Sequence, residues 1–290
     1  MIKLCAFADE ADNMLAGQIE ALKRNGISLI EVRSVDGKNV SELTDEEARE
    51  AYEQLHQNGI TVWSVGSPLG KVNIAEAEEH MKKVRRVLEL ANIFGAKRIR
   101  MFSFYEAYEK SEEVKKYLTR MCEIASEHGV VLCHENEKEV YGDTLDRVLE
   151  LVTADIEGLG FVFDPANYVQ CGINVKEALD RLFDKTAYFH IKDVIAETGE
   201  LVPAGAGDGH IDYMIELIKQ SGRDAVLTLE PHLKLFEGYG AIDNTVLQTK
   251  YQFADNNESF DAAVTALKGL LVAGGYKENE NEKGEKVWQA

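Results

Sequence analysis

The sequence has few of the features that mark secreted or membrane-spanning proteins. Four of its 290 residues are cysteines, and no two of them have C-x-x-C spacing. Neither a disulfide framework nor a cysteine-based zinc site is therefore indicated. No apolar run approaches the roughly 18 residues of a membrane span, and the N-terminal apolar run is too short for a signal peptide. We expect reduced cysteines and a cytoplasmic protein without a membrane partner.

Positive charge is also scarce. The chain has 32 lysine and arginine residues against 51 aspartate and glutamate residues, which gives a formal net charge of −19. A surface of this sign repels the phosphates of nucleic acids and of anionic membranes, so neither is an expected partner. The same charge does not oppose a small sugar, and an acidic cleft attracts divalent cations. The composition thus favours a small-molecule partner over a polyanion.

Short apolar runs alternate with longer amphipathic segments along the chain. The runs are rich in Val, Ile, Leu and Phe, as is typical of strands buried on both faces, and they cover residues 2–8, 28–32, 61–65, 98–102, 130–135, 160–164, 187–191 and 225–230. The segments predicted to be helical cover residues 12–25, 43–58, 74–94, 111–128, 143–153, 175–184, 211–221 and 258–273. Eight β-then-α units predict a single (β/α)8 barrel over residues 1–274. An open doubly wound sheet is the alternative, but the turn after the first run has no glycine.

Capping residues mark the ends of these helices. A glycine ends five helices just before a strand, at Gly26, Gly59, Gly95, Gly129 and Gly222. Thr44 and Glu47 have capping-box spacing. Three histidines fall within predicted helices and are expected to be solvated: His56, His80 and His128. Residues 275–290 are charged and of low complexity, so we expect a mobile segment or a surface arm.

Four consecutive predicted strands each end in a side chain that can bind a metal. Glu135, Asp164, His190 and Glu230 end strands five to eight in that order. Because the C-terminal ends of barrel strands meet at one rim, we expect the four to converge. Converging carboxylates repel one another without a cation, and this donor set suits Mn²⁺, Mg²⁺ or Co²⁺, with Zn²⁺ also compatible. A single carboxylate after a strand is more often a helix cap or a loop ion pair, and a lone histidine there is more often structural, so the ordered set carries the prediction.

The motifs resemble those of the sugar phosphate isomerase/epimerase superfamily, the xylose isomerase-like TIM barrels. The resemblance runs in register over residues 1–273 and rests on Glu135-Asn136-Glu137, Phe163-Asp164-Pro165-Ala166-Asn167, His190-Ile191-Lys192-Asp193, Gly205-Ala206-Gly207-Asp208-Gly209 and Leu229-Glu230-Pro231. It implies that Glu135, Asp164, His190 and Glu230 bind one divalent ion, with Mn²⁺ favoured. It further implies an isomerase or epimerase of a sugar, sugar phosphate or related keto polyol. Glu135 and Glu230 would transfer the proton through a metal-stabilised enediolate.

Further residues at the rim are candidates for binding the substrate: Lys192, Arg33, Ser67, Lys71, Asn167 and His210. Lys192 shares a strand face with His190 and could bind a substrate oxygen or phosphate, while Arg33 could bind a hydroxyl or carboxylate. Both are equally well explained by ion pairs. Ketohexose 3-epimerases usually carry a histidine where this sequence has Asn167, and an arginine in the loop at 204–209, where this sequence has none. These differences speak against a free ketohexose substrate and leave the metal site unaffected.

Three other functions are compatible with parts of the pattern. A dehydratase or lyase acting on an inosose or 3-keto sugar would use the same metal site. An apurinic endonuclease would need further histidine and acidic ligands on the earlier strands, and the negative charge opposes DNA binding. A non-catalytic sugar-binding protein would need no metal. The outer helices show no apolar stripe that marks an interface, which leaves a homo-oligomer open.

Overall fold

Eight parallel strands close into a barrel in the computed structural model, which describes residues 1–236, 250–282 and 284–290. The strands are β1 (Ile2–Ala6), β2 (Leu29–Val32), β3 (Thr61–Gly66), β4 (Arg98–Met101), β5 (Val131–Glu135), β6 (Leu159–Phe163), β7 (Thr186–Ile191) and β8 (Ala225–Leu229). Each strand pairs with its neighbour in the sequence, and β8 pairs with β1 in register from Ile2 opposite Ala225 to Ala6 opposite Leu229. The predicted (β/α)8 barrel is confirmed.

Helices follow the strands and cover the outside of the barrel. They are α1 (Leu15–Arg24), α2 (Asp45–Gln57), α3 (Ala77–Ile93), α4 (Ser111–Glu127), α5 (Leu145–Thr153), α6 (Pro165–Gln170), α7 (Val175–Leu182), α8 (Ile211–Ser221) and α9 (Asn256–Ala273). The predicted capping box at α2 is present, because the Thr44 side chain accepts from the Glu47 amide and the Glu47 carboxylate accepts from the Thr44 amide. Among the helices that the structure describes, none combines the length and apolar character needed to cross a bilayer.

The interior of the barrel holds a small layer of side chains beneath the rim. Alternate strand residues point inward and form one packed cluster of Cys5, Leu29, Cys133, Val162, Tyr188 and Val226, with Trp63 against it. The opposite faces of the strands pack against the helices in the main hydrophobic core. The barrel is therefore closed from below, and functional side chains lie at the C-terminal ends of the strands.

The sequence left a mobile segment or a surface arm open for residues 275–290, and the described residues form an ordered arm. Within the described residues, β9 (Lys277–Glu280) and β10 (Lys286–Gln289) form an antiparallel hairpin. The second strand pairs with the barrel, where Trp288 lies opposite Ile2 of β1. Val287 and Trp288 are 0% and 4% exposed. Burial of these two side chains orders a segment whose charged composition alone favours disorder.

His80 differs from its prediction as a solvated helix residue. Its imidazole is buried, and its Nε2 accepts a hydrogen bond from the Gly70 amide at 2.9 Å. Gly70 has a φ of +84°, and a Cβ there would lie 2.1 Å from the carbonyl oxygen of Phe102. Only glycine fits this turn. The helix α3 histidine therefore fixes the loop that follows β3.

Candidate metal centre

The four predicted ligands meet at the rim of the barrel. Glu135, Asp164, His190 and Glu230 each offer one ligand atom, and these atoms all lie within 4.8 Å of one another. His190 Nδ1 lies 2.9 Å from Glu135 Oε1 and 3.1 Å from Glu230 Oε2. All four side chains are buried. Adjacent parallel strands bring the residues together because each ligand stands at or just beyond the end of its strand.

Asp164 is both a helix cap and a member of the cluster. It precedes α6, and its Oδ1 accepts the amide hydrogen of Asn167 at 2.9 Å. Its other oxygen, Oδ2, lies 3.0 Å from Lys192 Nζ. Asn136 fixes the backbone here, because its amide side chain bonds both the amide and the carbonyl of Asp164 at 2.8 Å. The carboxylate is thus oriented from two sides.

His190 is oriented by a buried carboxylate that sequence reasoning did not assign. Its Nδ1 faces the cluster, and its Nε2 lies 3.4 Å from Oε2 of Glu31, at the end of β2. The Tyr188 hydroxyl donates to the other oxygen of Glu31 at 2.9 Å. A carboxylate on the far nitrogen of a ligand histidine sets its tautomer and ring orientation. Nδ1 is therefore the nitrogen available to a metal.

Each of the two glutamates is held by an arginine. Arg100 Nε lies 3.1 Å from Glu135 Oε2, and Arg33 Nη1 donates to Glu230 Oε1 at 2.9 Å. In both glutamates the other oxygen faces His190. Arg33 is in turn bonded by Asp9 at 2.9 and 3.0 Å. This geometry leaves one oxygen of each glutamate directed at the shared centre.

Burial and charge shift the pKa values of the four residues in different directions. For Asp164, burial outweighs the nearby Lys192 ammonium and raises the pKa to about 6. For Glu135 and Glu230, burial alone would raise the pKa, but His190 with Arg100 at the first and Lys192 at the second lower it. Burial alone would lower the pKa of His190, but the Glu135 and Glu31 carboxylates raise it well above its usual value. The cluster therefore holds several charges that attract cations, including protons.

The donor set fits a divalent cation. The Asp164 Oδ2 and Glu230 Oε2 atoms are buried and accept no hydrogen bond of good geometry. Three carboxylates and one neutral imidazole are a common ligand set for Mn²⁺, Mg²⁺, Co²⁺ or Zn²⁺. A bound cation would satisfy both oxygens and replace the proton on His190 Nδ1. The residues present thus fit the predicted metal, and the geometry alone does not select among these ions.

The six predicted substrate ligands occupy different environments. Lys192 and Lys71 form ion pairs with Asp164 and Glu137 at 3.0 and 2.9 Å. Asn167 donates to the Asn136 carbonyl at 2.9 Å and lies 3.4 Å from Glu135 Oε1.

The remaining three also differ from one another. Arg33 is ion-paired as described above, and the buried Ser67 hydroxyl donates to the Arg100 carbonyl at 2.7 Å. His210 precedes α8 with a φ of 48°, and we find no hydrogen bond or ion pair between this described residue and the cluster. Contact with a substrate stays a prediction for all six.

Several side chains around the centre were not predicted. Glu31, Arg100, Asp9, Glu10 and Asn136 are buried there. Asp9 and Glu10 lie in the short turn after β1, at the same rim as the C-terminal ends of strands five to eight. Arg100 and Glu31 lie inside apolar runs, where the sequence does not show which face a polar side chain occupies. His232 Nε2 lies 3.4 Å from Glu10 Oε1.

Fold and site together define a TIM barrel with a candidate metal centre formed by the last four strands. A family model described as xylose isomerase-like TIM barrel matches residues 19–246, and the chain belongs to this family. This confirms the resemblance read from the motifs. A comparison with curated proteins found no match.

Solved structures of similar fold include enzymes with different reactions. The IOLI protein with a bound zinc atom is 20% identical, covers 94% of this chain and 97% of its own, and has a TM-score of 0.71. D-psicose 3-epimerase with D-tagatose from Clostridium cellulolyticum H10 is 16% identical, with coverage of 92% and 98% and a TM-score of 0.73. The probable 3-DHS dehydratase AsbF from Bacillus anthracis is 18% identical, with coverage of 93% and 98% and a TM-score of 0.68. At these identities the likeness shows the fold alone.

Proposed function

We propose that the protein is a divalent-metal-dependent isomerase or epimerase of a keto sugar or related keto polyol. The observation that supports this most directly is the pairing of Glu135 and Glu230. One oxygen of each lies within 3.1 Å of His190 Nδ1, and an arginine holds the other. Two carboxylates that reach one centre from β5 and β8 are suited to remove and return a proton.

The proton would move between the substrate carbon and these two oxygens. Because the pKa values of Glu135 and Glu230 are lowered against the effect of burial, both are ionised at neutral pH and one can accept a proton. The carbon next to a carbonyl is a far weaker acid than a carboxylic acid of pKa about 4.3. Lewis-acid stabilisation of charge on the carbonyl oxygen is the chemistry that a bound divalent ion supplies. The other glutamate would take up a proton from solvent and deliver it to the opposite face, which inverts the carbon. The first glutamate would then release its proton to solvent.

Glu135→Gln and Glu230→Gln test this proposal. An amide cannot accept the proton, so we expect each variant to lower turnover by about 10²–10⁴-fold or more with the fold intact. Proton NMR of metal-loaded protein with keto sugars in heavy water measures deuterium incorporation and turnover, and circular dichroism measures the fold. Glu157→Gln, an exposed glutamate next to the start of β6, is the matched control. Full activity of either active-site variant would rule out paired glutamate bases.

A dehydratase or lyase acting on an inosose or 3-keto sugar is the second candidate. The observation that favours it is the Lys192 ammonium, 3.0 Å from Asp164 and 3.8 Å from Glu230, which could protonate a leaving hydroxyl. One protein of similar fold is described as a probable dehydratase. The NMR experiment separates the two reactions, because elimination yields a product that has lost water. A non-catalytic binding protein would give neither exchange nor elimination.

A further inference from the structure

The buried basic side chains around the centre are all engaged by carboxylates. In the part of the chain that the structure describes, Arg33, Arg100 and Lys192 are the buried arginine and lysine residues. Arg33 contacts carboxylates that follow β8 and β1, Arg100 contacts the glutamate that ends β5, and Lys192 contacts the aspartate after β6. A substrate phosphate or carboxylate would have to displace one of these internal partners.

Lys71, on the loop after β3, is engaged in the same way. The Lys71 side chain is 11% exposed, and its Nζ lies 2.9 Å from Glu137 Oε2. The same ammonium stands 4.4 Å from the centroid of the Phe102 ring. Lys71 thus has both an acidic and an aromatic partner, and it too offers no free cation to an anionic group.

The carboxylates outnumber the basic side chains. Seven of them take part in the contacts described above, against the four cations Arg33, Arg100, Lys192 and Lys71: Asp9, Glu10, Glu31, Glu135, Glu137, Asp164 and Glu230. A divalent cation bound by a neutral His190 would not cancel this excess of negative charge. An anionic substrate would therefore enter a region of its own sign.

The glycine loop after strand seven binds an anionic side chain of the protein itself. In TIM barrels, phosphate groups frequently bind to the loops after strands seven and eight. Here the Asp193 carboxylate accepts the amide hydrogens of Gly205, Gly207 and Gly209 at 2.8, 3.1 and 2.9 Å. A Cβ on Gly207 would lie 2.5 Å from Asp193 Oδ1. The backbone amides of the glycine loop therefore bind the Asp193 carboxylate. The described part of the loop after strand eight carries Lys234, whose Nζ donates to the Phe253 carbonyl at 3.0 Å. In the sequence, residues 237–249 of this loop include two acidic residues and no lysine, arginine or histidine.

We propose that the centre selects an electrically neutral keto sugar or keto polyol and discriminates against phosphorylated and carboxylated ones. The inference rests on the proposed function, because it concerns the substrate of the same site. It narrows the range of sugars and sugar phosphates that the motifs leave open. The neutral substrate would be recognised by chelation to the metal and by hydrogen bonds to its hydroxyls. The excess of carboxylates would repel phosphorylated and carboxylated sugars.

Matched pairs of neutral and phosphorylated ligands test the selection. Isothermal titration calorimetry on Mn²⁺-loaded protein, desalted to remove free metal, compares D-ribulose with D-ribulose 5-phosphate and D-xylulose with D-xylulose 5-phosphate. We expect at least one neutral ketose to bind about tenfold or more tightly than its phosphate. Equal affinity for the two members of each pair, or tighter binding of the phosphate, would overturn the inference. So would the absence of binding by either neutral ketose at up to 50-fold the concentration at which a phosphate binds. Failure to bind either class would also count against it.

A variant that removes one negative charge tests whether Glu137 contributes to the preference for neutral ketoses. Glu137→Gln removes the acidic partner of Lys71, so the preference for the neutral ketose should narrow about threefold or more. Glu139→Gln is the matched control, because Glu139 is an exposed residue of the same loop and loses the same charge. An equal narrowing in both variants, or none in Glu137→Gln, would contradict the local assignment.

Deuterium exchange on the same samples separates this inference from the proposed reaction. A neutral ketose that binds selectively without exchanging its carbon-bound proton would leave the charge selection standing and remove the isomerase proposal. A phosphorylated ketose that exchanges faster than its neutral counterpart would keep the reaction and overturn the charge selection.

Discussion

Single carboxylates at the centre divide their two oxygens between different partners. Asp164 was interpretable as a helix cap or as a metal ligand, and the carboxylate has two oxygens, so one caps α6 while the other faces the cluster. Glu135 likewise divides its oxygens between His190 and Arg100. The sequence can predict such a residue, but it cannot predict the partner of each oxygen.

Glu31 provides a prediction at this scale. Replacing Glu31 with glutamine leaves one acceptor oxygen where Tyr188 and His190 now use two. The histidine then loses part of its orientation, and we expect Mn²⁺ affinity to fall about 10–100-fold. Calorimetric titration of the metal-free protein measures this change directly. Asp143→Asn, a buried carboxylate that pairs with Arg147, should leave the affinity unchanged. Equal affinities in Glu31→Gln and wild type would show that Glu31 does not position the ligand.

At the scale of elements, local signals predicted the barrel helices and strands to within about three residues. Glycine C-caps and the capping box at α2 depend on residues close together in the chain, so a short stretch of sequence is enough to predict where a helix begins or ends. The C-terminal hairpin was missed because β10 pairs with β1 from the other end of the chain. The short helix α6 was missed although Asp164-Pro165 is a helix-start signature, because its 6 residues are too few to show a helical period in the sequence.

The link between α3 and the loop after β3 gives a prediction about pH. Burial lowers the pKa of His80 to about 4. An unfolded histidine has a pKa of about 6.5, so the neutral imidazole contributes its full stability above that pH and loses it as the pH falls towards 4. His80→Gln can keep the Gly70 hydrogen bond without titrating. We expect the free energy of unfolding in urea to fall less in this variant than in wild type between pH 6.5 and 4.5.

The exposed His56 on α2 is the matched control for this measurement. His56→Gln should follow the wild-type pH dependence. If His80→Gln also followed it, the buried imidazole would not be the group that couples stability to pH in this range.

At the scale of the whole molecule, one end of the barrel carries the candidate metal centre and the other carries contacts that stabilise the fold. The C-terminal rim holds the charged centre, and the hairpin β9–β10 pairs with the start of β1 at the opposite end. The net charge of −19 opposes polyanionic partners and is compatible with a small sugar and a divalent cation, and the rim carries an excess of carboxylates. Composition could not predict where in the fold that charge lies.

Trp288 tests this separation of stability from function. The side chain is 4% exposed, so Trp288→Ala should cost about 3–5 kcal/mol in the free energy of unfolding. Because Trp288 lies opposite Ile2, far along β1 from the rim, Mn²⁺ affinity should stay at the wild-type value. Gln289→Ala, at an exposed neighbouring position, should change stability by less than about 0.5 kcal/mol. A loss of metal affinity in Trp288→Ala would show that the two ends are coupled.

The central claim is that four side chains from consecutive strands hold one divalent ion. Anomalous diffraction at the manganese edge, from crystals of the Mn²⁺-loaded protein, tests it most directly. We predict one peak per chain, about 2.0–2.3 Å from Glu135, Asp164 and Glu230 oxygens and from His190 Nδ1. A peak bound by other residues, or no peak at this cluster, would contradict the account.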